Sequence, residues 1–207
     1  MKLLLGALLC AASTTAAMAQ VTEVRAGIGA HDIRVIGNLP VRESSIVLNG
    51  EILFKEPEFL KWALSPQPYI GGQLNLGRGT SYGGAGLVWR QNFGKRFYGD
   101  FAVGLVVHDG TLQLDLPTVD LSDYESIEEI RADPMVQAVL NERIFLIDNN
   151  IEYGSRVLIR EQLTLGYRMN KNWAVEGYFE HVSHGKFWTD ADNDGSDSAG
   201  FRVNRKF

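Results

Sequence analysis

Cysteine is almost missing from this sequence: the 207 residues contain one, Cys10, close to the N-terminus. No disulfide can therefore form within the chain, and its stability must come from a core or from a membrane. Small residues do not precede the thiol in Ala7-Leu8-Leu9-Cys10, so a lipoprotein cleavage box is lacking and no acyl anchor is expected. Beyond the N-terminal stretch, no apolar run reaches the ~18 residues a membrane-crossing helix needs. A membrane location would require a β-barrel. Basic charge is also in deficit, with 20 Lys and Arg against 25 Asp and Glu and a net charge of −5. With no basic nucleic-acid-binding motif to offset it, that balance argues against nucleic acid as a partner. No pair of side chains has HExxH-type ligand spacing, so no catalytic metal is expected, and nothing points to a cofactor. Gly83-Gly84-Ala85-Gly86 precedes no helix and reads as close strand packing rather than a phosphate cradle.

What is present starts with Lys2, an apolar run from Leu3 to Leu9, and Ala17-Met18-Ala19 before Gln20. This pattern predicts a secretory signal peptide over residues 1–19, leaving 20–207 as a single domain. Period-two alternation then marks eight strands, near Thr22–His31, Ser44–Phe54, Pro68–Leu76, Ser81–Arg90, Phe97–Val107, Arg156–Arg168, Trp173–Ser183 and Ser198–Phe207. One face of several strands is apolar, as in Ile46, Leu48, Ile52 and Phe54; the other carries Asn49 and Glu51, Arg160 and Gln162, Glu176 and Glu180. A soluble barrel turns the apolar face inward and a membrane barrel turns it outward, and periodicity alone does not choose.

Other features favour the membrane. The chain ends in Phe207 at the tip of an alternating strand, and Trp89, Phe97, Tyr167 and Trp173 lie near strand ends as an interfacial belt requires. Connections alternate in length: Asn92–Arg96 and Asn170–Asn172 are tight, whereas His31–Glu43, His108–Ser155 and His184–Asp197 are long. The expected fold is all-β: an eight-stranded antiparallel transmembrane β-barrel of the outer membrane, with a partly helical long extracellular loop. Ser122-Asp123-Tyr124-Glu125 fits a capping box in that loop, and Asp133-Pro134 fits the start of a second helix. That region could be a cap over the barrel mouth or an amphipathic lid on the outer leaflet. Eight strands enclose only side chains, so the mixed charges of the inward face should form an ion-pair plug and no pore.

The strand Trp173–Ser183 places His181 and Ser183 on the apolar face with Val175 and Phe179. A hydroxyl nucleophile needs a base within hydrogen-bond reach, and the base needs a partner that fixes its tautomer. Both flanking strands supply one of outward parity, Asp197 on the last and Glu161 on the preceding one. A nucleophile and base on a lipid-facing surface suggest chemistry on a lipid. Its chain would lie along Phe179, Val175 and Phe201, with Lys186 the cation nearest in sequence for a phosphate. Asp190 to Asp197 also resembles the opening of a calcium loop, but Phe201 stands where the bidentate Glu is required. His31 and His108 read as structural and His184 as exposed on its loop.

The run Gly154 to Arg168, followed by Glu180-His181-Val182-Ser183, Asn193-Asp194-Gly195-Ser196-Asp197-Ser198 and the Phe-terminated last strand, resembles the lipid A 3-O-deacylase (PagL-type) acyloxyacyl hydrolase family. The resemblance covers roughly Gly154 to Phe207. It implies an outer-membrane barrel that hydrolyses the 3-O-linked acyl chain of lipid A within lipopolysaccharide, through a serine triad at outer-leaflet level. By motif position His181 is the base, Ser183 the nucleophile and Asp197 the acid, where the best-known member has Glu. Asn193 and the Gly185 amide would hold the oxyanion. Ser183 is followed directly by His184-Gly185, a departure from the family's usual spacing. The competing reading is a small non-enzymatic outer-membrane barrel that binds a partner or the lipopolysaccharide layer.

Overall fold

Every residue from Val21 to Ile33, together with Val35 and 41–207, is described by a computed structural model of the chain; the predicted signal peptide lies outside the described residues. Eight strands follow one another as β1 (Val21–His31), β2 (Ser45–Phe54), β3 (Gln67–Asn75), β4 (Tyr82–Phe93), β5 (Phe97–His108), β6 (Val157–Arg168), β7 (Trp173–Ser183) and β8 (Ser196–Lys206). Each pairs antiparallel with its sequence neighbour, and β8 returns to β1, closing the barrel. Closure removes the unpaired strand edges that could not persist in lipid.

Burial follows the alternation with its sense inverted relative to a soluble protein. On β2, Val47, Asn49, Glu51 and Leu53 point inward and are buried, while Ile46, Leu48 and Ile52 are exposed. The same inversion exposes Phe101, Leu105 and Val107 on β5 and Leu163 and Leu165 on β6. A continuous apolar exterior around a polar lumen is the arrangement lipid stabilises.

The lumen is filled by paired charge. Arg160 Nη2 lies 2.6 Å from Glu51 Oε1 and 2.5 Å from Glu180 Oε2. Arg202 Nε bonds Glu176 Oε2 at 2.5 Å, and Arg25 Nη1 bonds Glu51 Oε2 at 3.0 Å while also pairing with Asp100. Arg90 completes the set with Glu23 and Asp100. Such a network is stable only while each charge is matched, and removing one partner typically costs ~3–5 kcal/mol. Close packing holds at Gly84 and Gly86, where a Cβ would lie 1.9 Å from Leu105 O and 2.2 Å from Val103 O on the adjoining strand, but not at Gly83, whose surroundings would admit one.

The end where β1 starts and β8 finishes holds the tight turns 94–96 and 169–172 and the longer connection 55–66; the other end holds the long loops and the short link 76–81. In the longest, helices α1 (Ile127–Ala132) and α2 (Pro134–Asn149) pack on one another. The N-cap falls one turn later than Ser122: Ser126 Oγ accepts from Glu129 N, while the two N–H groups a Ser122 box would use are taken, Ser122 N by Asp120 Oδ1 and Glu125 N by Glu129 Oε2. Asp133 caps α2 as expected, accepting from Met135 N at 2.7 Å. After α2 the chain drops Ile151 and Tyr153 into the barrel mouth against Tyr82, Val106, Leu158 and Val182. Glu43 ties these loops together, accepting from Thr80 N at 2.8 Å, Thr80 Oγ1 at 2.9 Å and Ile151 N at 3.2 Å.

Candidate active site

The site occupies the loop end of three adjoining strands. Register places His181 opposite Asp197 on β8 and opposite Glu161 on β6, and places Ser183 opposite Ile159. Parity on β7 sends His181 and Ser183 outward, whereas Val182 and His184 turn inward. His184 is consequently fully buried rather than exposed on its loop, and its Nδ1 accepts from Lys186 N at 3.0 Å.

Asp197 Oδ1 stands 2.7 Å from His181 Nδ1. The imidazole is partly exposed, its side chain at 20 %, while the carboxylate is buried at 1 %. Burial of that carboxylate is made tolerable by donors from the first loop: Val35 N–H reaches Oδ2 at 2.7 Å. The Asp197 carbonyl accepts from Ile33 N at 3.1 Å, so the first loop grips the residue at two points. That loop is itself secured by buried Asp32, whose Oδ2 accepts from Arg42 N at 2.6 Å and Glu43 N at 2.9 Å. Glu161, across the other edge, is exposed and makes no hydrogen bond to His181. Ser183 is half-buried, and its side chain makes no hydrogen bond to a described residue, which leaves Oγ open to the face that His181 shares.

The Asn193-Asp194-Gly195 segment closes over this pair. Gly195, at φ +60, sits so close that a Cβ would lie 3.1 Å from His181 Cε1 and 3.3 Å from Ser183 Cβ. Glycine is required there both for the left-handed backbone and for the space. Gly195 N donates to Asn193 Oδ1 at 3.2 Å, an Asx turn that fixes the Asn193 amide and leaves its Nδ2 to donate elsewhere. On the other side Gly185 and Lys186 adopt φ +55 and +58, and Phe187 N donates to His184 O at 3.1 Å. This is the twin left-handed geometry of a type I′ turn, beginning immediately after Ser183. Asp194 lies within the acidic segment but bonds Arg42 and Glu152 N, so it serves the loop scaffold.

Below the site the outer surface is grooved. One depression of about 510 Å³ is lined by Leu163, Leu165, Gly177, Phe179, Ala199 and Phe201. A second, of about 580 Å³, shares Leu165, Gly177 and Phe201 with it and extends past Val175 and Val203. The groove therefore collects Phe179, Phe201 and Val175, and Lys186 stands apart, exposed on its turn. Sequence reasoning missed Ile33, Val35 and Gly195 as neighbours of the site. The first two act through backbone N–H groups that carry no residue signature; Asn-Asp-Gly announced a turn but not its partner.

A family model described as lipid A 3-O-deacylase (PagL) matches residues 58–206. The chain belongs to this family. It is an outer-membrane β-barrel, and the lipid A deacylase family matches most of its length. Among solved structures, the crystal structure of the outer membrane enzyme PagL is similar at a TM-score of 0.51 and 12% identity, over 89% of this chain and 99% of that one. Neisserial surface protein A gives a TM-score of 0.46 at 11% identity, covering 90% of this chain and 96% of that one. A de novo designed transmembrane β-barrel gives 0.46 at 7%, covering 90% and 95%. At 12% identity the likeness to PagL speaks for the fold alone and leaves the chemistry to the site. No curated protein matches the sequence.

Proposed function

We propose that this member of the PagL family hydrolyses the 3-O-linked acyl ester of lipid A by a Ser-His-Asp mechanism on the outer face of the barrel. The observation that carries the reading is the His181–Asp197 hydrogen bond of 2.7 Å, standing beside Ser183 at the head of an apolar groove. With Nδ1 committed to Asp197, the other ring nitrogen, Nε2, is the one that can take the Ser183 proton as Oγ adds to the ester carbonyl. The negative charge then developing on the carbonyl oxygen is met by Asn193 Nδ2 and the Gly185 amide. Collapse of the adduct breaks the ester C–O bond, and His181 returns its proton to the departing sugar hydroxyl. The acyl group remains on Ser183 until a water, activated by the same imidazole, releases the hydroxy fatty acid.

Lipid access is lateral. A chain extending from the ester would follow Phe179, Phe201 and Val175 along the groove, while Lys186 faces the headgroup side. Aspartate in place of the longer Glu works here because β8 begins at Ser196, so Asp197 is held by the strand directly opposite His181.

Lipid A recovered from cells that express the protein should be lighter by one hydroxyacyl chain when analysed by mass spectrometry. Ser183→Ala should give a folded, heat-modifiable barrel with activity reduced by ~10³-fold or more. A Ser183→Ala protein that deacylates at the wild-type rate would end the mechanism, and an unchanged lipid A spectrum with wild-type protein in the outer membrane would end the enzymatic reading.

A further inference from the structure

The two ends of the barrel carry opposite charge. At the end remote from Ser183, the turns and the last residues of β8 expose Lys55, Lys61, Lys95, Arg96, Lys171 and Lys206, with Glu56 and Glu58 as the exposed acids among the described residues. The loop end instead exposes many acids, including Asp109, Asp120, Glu128, Glu142 and Asp190. Set within the basic rim is a 3₁₀ segment, Glu58–Ala63, that joins β2 to β3 and buries none of its residues. Phe59, Trp62 and Leu64 stand 75, 82 and 85 % exposed, a degree of apolar exposure that a water-facing turn does not retain without a partner.

This segment is built rather than loose. The Trp89 indole Nε1 donates to Ala63 O at 2.7 Å, and Ser65 N donates to Leu60 O at 3.2 Å. Leu64 and Ser65 both take left-handed backbone, φ 65 and 54, a conformation that non-glycine residues enter only under constraint. The constraint pins Phe59, Trp62 and Leu64 outward beside Lys61. Phe93 and Phe207, exposed at 55 and 69 %, extend the apolar ring around the same end.

We propose that this face docks an anionic phospholipid surface: Phe59, Trp62 and Leu64 enter the acyl boundary, and Lys61, Lys95, Arg96 and Lys171 take the phosphodiesters above it. Aromatic side chains settle at the headgroup boundary and cations above it draw anionic lipid, whereas the acidic loop end repels it. In an outer-membrane barrel whose long loops face outward, the lipid addressed is that of the inner leaflet. The surface is remote from the deacylase site and does not depend on the proposed chemistry.

The test uses the full chain with Cys10→Ser and Leu64→Cys, carrying a nitroxide and refolded into phosphatidylcholine vesicles with one quarter phosphatidylglycerol. The nitroxide should collide with oxygen in preference to a water-soluble nickel chelate. In the protein without the nitroxide, spin-labelled phosphatidylglycerol should associate roughly threefold or more over phosphatidylcholine at ~0.1 M salt, less at 1 M. Lys61→Glu/Lys95→Glu/Arg96→Glu should bring that ratio to near one, and Arg78→Glu/Arg131→Glu at the loop end should leave it unchanged. A nitroxide open to the nickel chelate would mean the segment faces water and serves a soluble partner, overturning the proposal. So would a lipid ratio that survives the triple substitution. Should the triple variant not refold, the salt series on the unsubstituted protein decides, since selectivity indifferent to 1 M salt excludes the phosphate contact.

Discussion

At the scale of single residues, the question is which acid orients His181. Glu161 and Asp197 lie at the same height on opposite flanks of β7, and outward parity assigns both to the lipid-facing side. The structure joins His181 to Asp197 and gives that carboxylate a second anchor in Val35 N–H. Asp197→Ala should therefore lower deacylation by ~10²-fold or more while Glu161→Ala costs much less, with both proteins remaining heat-modifiable. Equal activity of wild type and Asp197→Ala would transfer the role to Glu161 or leave a dyad. That His181, Ser183 and Asp197 come together on one face was legible in the sequence, because strand parity and the motif pointed the same way. Val35 and Ile33 could not, since their contribution is a backbone N–H presented by a loop whose shape no residue in it encodes singly.

At the scale of elements, β6, β7 and β8 carry the candidate site and line the groove, with Ile28 of β1 and Phe97 of β5 at its far end. Gly177 is its pivot: a Cβ placed there would meet only the Phe201 ring at 3.7 Å, so the two depressions run together across it. Gly177→Leu should fill that crossing, shortening the acyl chain preferred by the protein while leaving hydrolysis of a short water-soluble ester nearly unchanged. Comparing rates on lipid A species with long and short 3-O chains checks this; an equal loss on every substrate would place the chain elsewhere. Strand spans were legible to within a few residues because period two runs clearly along β2, β5, β6 and β7 and turn residues bound the others. The α1 start was displaced because two Ser-x-x-Glu patterns follow in close succession, Ser122 to Glu125 and Ser126 to Glu129, and only the second is free to bond its own helix.

At the scale of the whole molecule, the loops that shape the site hang together through Glu43. Burial would by itself raise its carboxyl, but hydrogen bonds from His31, Thr80 and Ile151 outweigh it and hold the group below the usual carboxylate range. A depressed folded-state value means that the stabilisation is complete above the ordinary value of ~4.3 and is lost as pH falls through the lower one. Amide exchange at Thr80 and Ile151, corrected for intrinsic rate, should accordingly lose protection below about pH 4, with the barrel strands still protected. In Glu43→Gln the acid dependence should flatten and protection should be lower at neutral pH. Unchanged exchange in that variant would show that Glu43 does not govern the loops.

The sequence by itself determined eight two-faced strands, their order and the alternation of short and long connections, because period two and turn residues are local properties. It also brought His181 and Ser183 to one face, a consequence of parity alone. Which face turns toward lipid was not local: Glu51 and Ile52 alternate identically in either kind of barrel, and only closure, with Arg25 paired to Asp100 and Arg160 and Arg202 to Glu51 across the lumen, puts the charges inside. Tertiary structure likewise set the His181 hydrogen bond to Asp197 instead of Glu161 and swung His184 inward. It also set the first loop on Asp197, since hydrogen bonds between distant segments depend on register and loop path, which no single stretch of sequence specifies.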